Sequence, residues 1–171
     1  MRQINVGVIG AGWCGGIRAK TCADSPYVAE LHIAEINDAR LKEVCDALSP
    51  ASFTTDYTQL LSNPDIDAVL VSATPETTHF PIAKASLLAG KHVLLEKPIA
   101  IDLEQADELI ALANSKKLFF TIGYSQRFNP KFAYVKQCVE DGTIGRPVSV
   151  LVSRHITRGL GKKISGRIKL S

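Results

Sequence analysis

Short apolar runs rich in β-branched residues alternate with longer helical patterns along most of this 171-residue chain. Parallel strands need a crossover connection, so such alternation is typical of a doubly wound α/β sheet. A continuous apolar run, such as residues 68–72, is expected in a strand buried on both faces. The pattern predicts six strands, at residues 4–9, 29–34, 52–54, 68–72, 92–95 and 118–122, and helices at about 12–23, 39–48, 57–61 and 78–89, with a further helix from an Asp102 N-cap to about residue 114.

The rhythm changes after Gly123. A helix is predicted over residues 129–140 and a long strand over 147–155. Residues 144–171 carry seven basic and no acidic side chains, whereas residues 1–143 carry thirteen basic and seventeen acidic ones. This break and the change of rhythm predict a doubly wound domain over 1–123, a connecting segment and helix over 124–146, and the start of a truncated C-terminal domain over 147–171.

Composition narrows the class of protein. No apolar run approaches the roughly 20 residues of a membrane helix, and residues 1–5 lead straight into a strand without a signal peptide. The four cysteines form no Cys-x-x-Cys pair, which favours reduced, buried thiols in a cytoplasmic protein and no metal site. They are Cys14, Cys22, Cys45 and Cys138.

The strongest motif is Gly10-Ala11-Gly12-Trp13-Cys14-Gly15, a G-x-G-x-x-G between the first strand and the first helix. Its first glycine permits a tight turn, its second lets the backbone approach a pyrophosphate, and its third allows close helix–strand packing. The helix N-terminus offers free N–H groups and the positive end of its dipole to phosphates. We therefore predict dinucleotide contacts at Gly10, Ala11, Gly12, Trp13 and Cys14.

Glu35 ends the second strand, twenty residues after Gly15. A carboxylate at this distance can accept hydrogen bonds from the adenosine ribose hydroxyls and would repel a 2′-phosphate, which favours NAD over NADP. The nearest cation that follows is Arg40. The alternative for Glu35 alone is a solvated charge at a strand end.

Two further strand ends are candidates for the same cleft. Ala73, Thr74 and Pro75 follow the fourth strand and are predicted to line the nicotinamide side, with His79 either in contact with the coenzyme or serving as a cap or packing residue. Glu96-Lys97-Pro98 follows the fifth strand, where Lys97 could hydrogen-bond or deprotonate a substrate hydroxyl. A surface lysine is the alternative.

These residues together resemble the N-terminal half of the Gfo/Idh/MocA oxidoreductases, of the glucose-fructose oxidoreductase and inositol dehydrogenase type. The resemblance covers roughly residues 4–155. It rests on residues 8–12, Glu35, Thr74-Pro75 with His79, residues 90–93 leading into Glu96-Lys97-Pro98, and residues 123–130, which are followed by 142–147.

The resemblance implies a Rossmann domain for NAD(P) and the beginning of an α+β domain whose open sheet supports a substrate. The implied reaction is hydride transfer to or from a secondary alcohol of a sugar, cyclitol or related compound. Lys97 matches the active-site lysine of the family, the Lys97–Pro98 peptide is expected to be cis, and Arg127 and Asn129 match a stretch that borders the cleft.

The chain ends before the family's Asp-x-x-x-His motif, and His155 does not fit it. We therefore expect dinucleotide binding without turnover, and either a frayed tail after His155 or a homo-oligomer formed through strand 147–155. A non-catalytic, cofactor-sensing or partner-binding module is the alternative. The basic tail lacks interleaved aromatic residues, so specific nucleic-acid binding is not expected, nor is membrane binding.

Overall fold

The structure is a computed structural model that describes residues 2–153, 155 and 159. The chain divides into two compact units, Met1–Tyr124 and Ser125–Ser171. The first unit contains six strands, five α-helices and a 3₁₀ turn at Glu76–Thr78. The strands are β1 (Ile4–Ile9), β2 (Val28–Ala34), β3 (Ser52–Thr54), β4 (Ala68–Val71), β5 (His92–Leu95) and β6 (Phe120–Ile122); the helices are α1 (Trp13–Ala23), α2 (Asp38–Leu48), α3 (Tyr57–Ser62), α4 (His79–Leu88) and α5 (Leu103–Ser115).

All six strands are parallel and lie in the order β3-β2-β1-β4-β5-β6. The chain builds outward from β1 to β3 and then returns to place β4 on the other side of β1. In open sheets of this kind, such a reversal separates the connections that leave β1 and β4 and creates a crevice at the carboxyl ends of those strands. The predicted doubly wound sheet is confirmed.

The strands are apolar because helices cover both faces of the sheet. On one face Val8 and Ile33, both fully buried, pack with residues of α1 and α2 such as Ala19 and Leu41. On the other face the core includes β4, β5 and the apolar sides of α4 and α5. Burial on both faces accounts for continuous apolar runs in place of alternation.

The predicted start of β6 was wrong by two residues. Helix α5 is followed by a left-handed residue, Lys117 (φ 55°), and the N–H group of Leu118 donates to the carbonyl of Ala113 at 3.0 Å. Leu118 therefore closes the helix and does not pair in the sheet. At the other end of α5, Asp102 is the N-cap residue, as predicted, but its side chain makes no capping hydrogen bond.

The second unit contains a short 3₁₀ turn at Ser125–Phe128 and helix α6 (Pro130–Glu140), whose first turn is capped by the Asn129 side chain. The prediction of a strand over residues 147–155 is wrong, because residues 147–153 and 155 are not in a strand. A strand requires a hydrogen-bonding neighbour, and none of the described residues pairs with this segment. The expectation of a frayed tail concerns residues 156–171, all of which except residue 159 lie outside the described residues.

Within the described part of the chain, no helix combines the length and the apolarity needed to cross a membrane. The four cysteines are unpaired. Only Cys138 is buried as predicted; Cys22 and Cys45 are half-buried, and Cys14 is exposed because the first turn of α1 lies at the open crevice. Burial raises the pKa of the Cys22 and Cys45 thiols.

Lys91 is a buried cation that joins α3 to the start of β4. Its side chain is 5% exposed, and its ammonium donates to the carbonyls of Asn63 at 2.6 Å and Ile66 at 2.8 Å. Desolvation lowers the pKa of this ammonium from its ordinary value of 10.5. The folded protein therefore releases the Lys91 proton at a lower pH than the unfolded chain does.

Lys91→Met should lower the free energy of unfolding by about 2 kcal/mol, because two carbonyls lose their donor. Urea denaturation measures this loss, with the exposed Lys116→Met as control. At pH values between the pKa of Lys91 in the folded protein and its pKa in the unfolded chain, unfolding takes up a proton. In this pH range the free energy of unfolding of the wild type should therefore rise with pH through Lys91, and the variant should lack this rise. Equal stability of Lys91→Met and wild type across this range would contradict the assignment.

Candidate functional site

The glycine loop between β1 and α1 is shaped by close backbone contacts. Gly10 has φ +83°, and a Cβ atom there would lie 2.6 Å from the backbone nitrogen of Ala73. A Cβ atom on Gly15 would overlap the carbonyl oxygen of Gly10. Both glycines are therefore required by the packing of the protein itself, as the motif predicts.

Gly12 differs from these two glycines because a Cβ atom there would meet nothing within 4 Å. Gly12 is the N-cap of α1, no side chain caps this end, and no acidic residue lies in the first turn. The packing of the described residues does not explain why a side chain is absent. An open, uncapped helix N-terminus is a suitable place for an anion.

Glu35 holds the glycine loop. One carboxylate oxygen accepts the N–H of Ala11 at 2.6 Å, and the other accepts the N–H of Asn37 at 3.0 Å. Glu35 is 9% exposed, so it is not the solvated strand-end charge of the alternative interpretation. Each oxygen retains a lone pair that could accept a ribose hydroxyl.

Arg40, which the sequence singled out only as the nearest cation, lies on the other side of Ala11. Its Nε donates to the carbonyl of Ala11 at 2.7 Å, and its guanidinium pairs with Glu43 at 2.7 Å. The two peptide groups of Ala11 are thus held by opposite charges, one directly after β2 and one in the first turn of α2. Sequence reasoning missed this role of Arg40, because nothing in the spacing indicates which backbone carbonyl its side chain reaches.

The segment after β4 lies directly beside the glycine loop. Ala73 is half-buried and approaches Gly10, whereas Thr74 and Pro75 are exposed. His79, at the start of α4, is 2% exposed, and both of its ring nitrogens face backbone carbonyls. The protein backbone thus engages both ring nitrogens of His79. A direct contact between His79 and a ligand stays a prediction.

The turn after β5 presents Lys97 from a firmly held base. Glu96 is 8% exposed, and one of its oxygens accepts from Nε and Nη2 of Arg18 at 2.9 and 2.7 Å. Lys97 is exposed and makes no hydrogen bond or ion pair among the described residues. The Thr74–Pro75 and Lys97–Pro98 peptides are both cis, the second as expected.

The structure thus brings most of the predicted residues to one edge of the sheet. Contacts run from Glu35 to Ala11, from Gly10 to Ala73, and from His79 to Ala73 and Pro98. Trp13 and Cys14 are exposed in the first turn of α1. Arg127 is exposed and belongs to the second unit.

Arg18 was not predicted, and its partner lies 78 residues away in the sequence. Arg18→Met should lower the free energy of unfolding by about 2 kcal/mol, because it leaves the Glu96 carboxylate buried without its counter-charge. Lys20→Met is the matched control on the same helix, since it removes an exposed pair with Asp24 and should cost less than about 0.5 kcal/mol. Urea denaturation compares the two; equally small losses would show that the Arg18 pair contributes nothing.

Comparison with known proteins agrees with this geometry. A family model described as an oxidoreductase family with an NAD-binding Rossmann fold matches residues 4–124. The chain is 33% identical over 146 residues to an uncharacterised oxidoreductase of Bacillus subtilis, YrbE, and the match covers 85% of this chain and 42% of that protein. It is 32% identical over 144 residues to a myo-inositol 2-dehydrogenase of Thermotoga maritima, and this match covers 84% of this chain and 43% of the dehydrogenase.

Among solved structures, one similar fold is scyllo-inositol dehydrogenase from Lactobacillus casei with bound cofactor NAD(H) and scyllo-inositol. Its TM-score is 0.78 at 29% identity, and the match covers 84% of this chain and 43% of that one. The chain therefore spans less than half the length of the relatives it matches.

Proposed function

The chain belongs to the Gfo/Idh/MocA oxidoreductase family with its NAD-binding Rossmann fold, and from that premise we propose that it forms the coenzyme-binding half of an NAD-dependent dehydrogenase. The reaction proposed for the whole protein is hydride transfer to or from a secondary alcohol carbon of a polyol or sugar. The observation that carries the proposal is the convergence of the open Gly12 helix end, the Glu35 carboxylate and the Lys97 turn on one edge of the sheet.

The order of the strands supports one orientation of the coenzyme. Glu35 at the end of β2 would receive the adenosine ribose, and the N-terminus of α1 would receive the pyrophosphate. The nicotinamide then extends over the ends of β4 and β5, beside Ala73, Thr74, Pro75 and Glu96. Contacts from Trp13 and Cys14, in the first turn of α1, are part of the same proposal.

The residues around the ribose site favour NAD over NADP. The Glu35 carboxylate would repel a 2′-phosphate at the position where it would accept ribose hydroxyls. Arg40 is the cation closest to this carboxylate in the sequence, but it is engaged by the carbonyl of Ala11 and by Glu43. It would have to leave both partners to neutralise a phosphate.

Lys97 is proposed as the catalytic residue of this half. When bound, the coenzyme supplies the carbon that accepts or gives up the hydride. The amino group of Lys97 has no partner among the described residues. As an ammonium it would donate a hydrogen bond to a substrate hydroxyl, and as a neutral amine it would accept the proton of that hydroxyl. The polyol class rests on similarity to the inositol dehydrogenases of Thermotoga maritima and Lactobacillus casei.

The proposal is tested first by coenzyme binding. When NADH is titrated into the chain, the fluorescence of bound NADH should rise and the signal should saturate. NADPH should bind at least about tenfold more weakly, because Glu35 repels the added phosphate. Two alanine variants then locate the site. Gly12→Ala should retain wild-type stability, since its Cβ meets nothing, and lose most NADH affinity, whereas Gly15→Ala should lose stability because its Cβ overlaps the Gly10 carbonyl.

Absence of an NADH signal in the folded wild-type chain would overturn the proposed function. Unchanged NADH affinity in Gly12→Ala would show that the coenzyme does not approach this loop. Thermal unfolding of both variants, measured beside the titration, separates the loss of binding from the loss of the fold.

The position of Lys97 is tested by chemical modification. NADH should slow the acetylation of Lys97 by acetic anhydride severalfold, because the bound nicotinamide half would cover the Lys97 turn. Lys116 is the internal control, since its ammonium donates to the carbonyl of Leu88 between the ends of α4 and α5, away from the crevice. Mass spectrometry of peptides measures both lysines in one sample; equal rates with and without NADH would place Lys97 outside the coenzyme site.

A further inference from the structure

His79 is buried at the start of α4 and connects two backbone segments. Its ring is 2% exposed, with Nδ1 at 2.7 Å from the carbonyl oxygen of Pro98 and Nε2 at 3.1 Å from that of Ala73. The first carbonyl belongs to the turn that carries Lys97. The second belongs to the segment that follows β4.

These two segments have left the sheet and no longer support each other through the backbone. The last ladder bond between them runs from the N–H of Glu96 to the carbonyl of Val71 at 2.8 Å. Beyond it, no backbone hydrogen bond joins residues 73–75 to residues 97–99 in the described chain. The imidazole of His79 therefore provides the next connection between these two segments.

The chemistry of the contacts fixes where the ring carries a proton. A carbonyl oxygen can only accept, so a ring nitrogen that bonds to it must donate an N–H. The shorter contact, to Pro98, assigns a proton to Nδ1. Holding both carbonyls requires a proton on Nε2 as well, because a bare Nε2 would present a lone pair to the carbonyl oxygen of Ala73.

We propose that His79 is a positioning residue that holds the Lys97 turn at a fixed distance from the nicotinamide-side segment at Ala73. This inference rests on the proposed function, because it assigns those two segments to the nicotinamide half of the coenzyme site. Loss of the imidazole should disturb binding of that half alone. The adenosine half is held by Glu35 and the glycine loop, which His79 does not touch among its hydrogen bonds.

Two ligands separate this role from a general contribution to stability. NADH carries the nicotinamide half, and ADP-ribose lacks the nicotinamide ring. In His79→Phe, which keeps an aromatic ring without either donor, NADH affinity should fall at least about fivefold, as expected for the loss of one buried hydrogen bond, while ADP-ribose affinity stays within about twofold. His79→Gln keeps one N–H donor and should recover part of the NADH affinity.

His92→Gln is the matched control. His92 is the first residue of β5, at the opposite end of the strand that leads to Lys97, and its Nδ1 accepts the N–H of Phe119 at 3.0 Å. This variant should bind both ligands as the wild type does. Equal losses for NADH and ADP-ribose in His79→Phe, or no loss for either, would overturn the proposal.

Nuclear magnetic resonance tests the bridge without any coenzyme. In the wild-type chain, the ¹⁵N spectrum should show a proton on both ring nitrogens of His79, and an unprotonated Nδ1 or Nε2 would overturn the proposal even if the variants fail to fold. In His79→Gln, backbone amide signals of Ala73, Thr74, Lys97 and Ile99 should shift, with no such change in His92→Gln. If the wild type binds neither NADH nor ADP-ribose, the proposed function fails, whereas the bridge stands or falls on these signals.

Discussion

The hydrogen bond from the N–H of Ala11 to the Glu35 carboxylate, 2.6 Å long and buried, joins the ends of the two neighbouring strands on which the proposed site is built. Arg40 holds the opposite peptide group of Ala11. The backbone of the glycine loop is therefore fixed by two charged side chains before any ligand arrives. In the proposed complex the same carboxylate would face the ribose, so the shape of the loop and the choice of coenzyme depend on one residue.

The other half of the crevice follows a similar arrangement. The base of the Lys97 turn is held through Glu96 by Arg18 and through Pro98 by His79, while the Lys97 ammonium itself is left without a partner. A fixed backbone with a free functional group suits a residue that must meet a substrate in a defined geometry. Both halves thus rely on side chains that bind backbone or carboxylate groups far away in the sequence.

Much of the first unit could be predicted because its signals are local. Apolar runs indicate the strands, the glycine spacing indicates the turn into α1, and parallel strands with crossover helices leave few possible topologies. Glu35 could be placed for the same reason, since twenty residues after the motif correspond to one helix and one strand. What the sequence did not indicate was that Glu35 binds the loop as well.

The errors came from contacts that sequence patterns do not encode. The apolar character of Leu118 is that of a strand residue, yet its N–H closes α5 because Lys117 adopts a left-handed conformation that glycine usually takes. The apolar run at 147–153 matches a strand but lacks a neighbour among the described residues. Arg18 and Glu96 form a pair that only the folded sheet brings together.

The most direct test of the central claim is to map NAD onto the backbone amides of the ¹⁵N-labelled chain. The signals that change on titration should cluster at Ala11, Gly12, Trp13, Glu35, Ala73 and Lys97, at the carboxyl edge of the sheet. The signals of Asn5 and His92, at the amino ends of β1 and β5, should stay unchanged. Changes confined to that amino edge, or a saturating titration that leaves the glycine loop unaffected, would contradict coenzyme binding at this site.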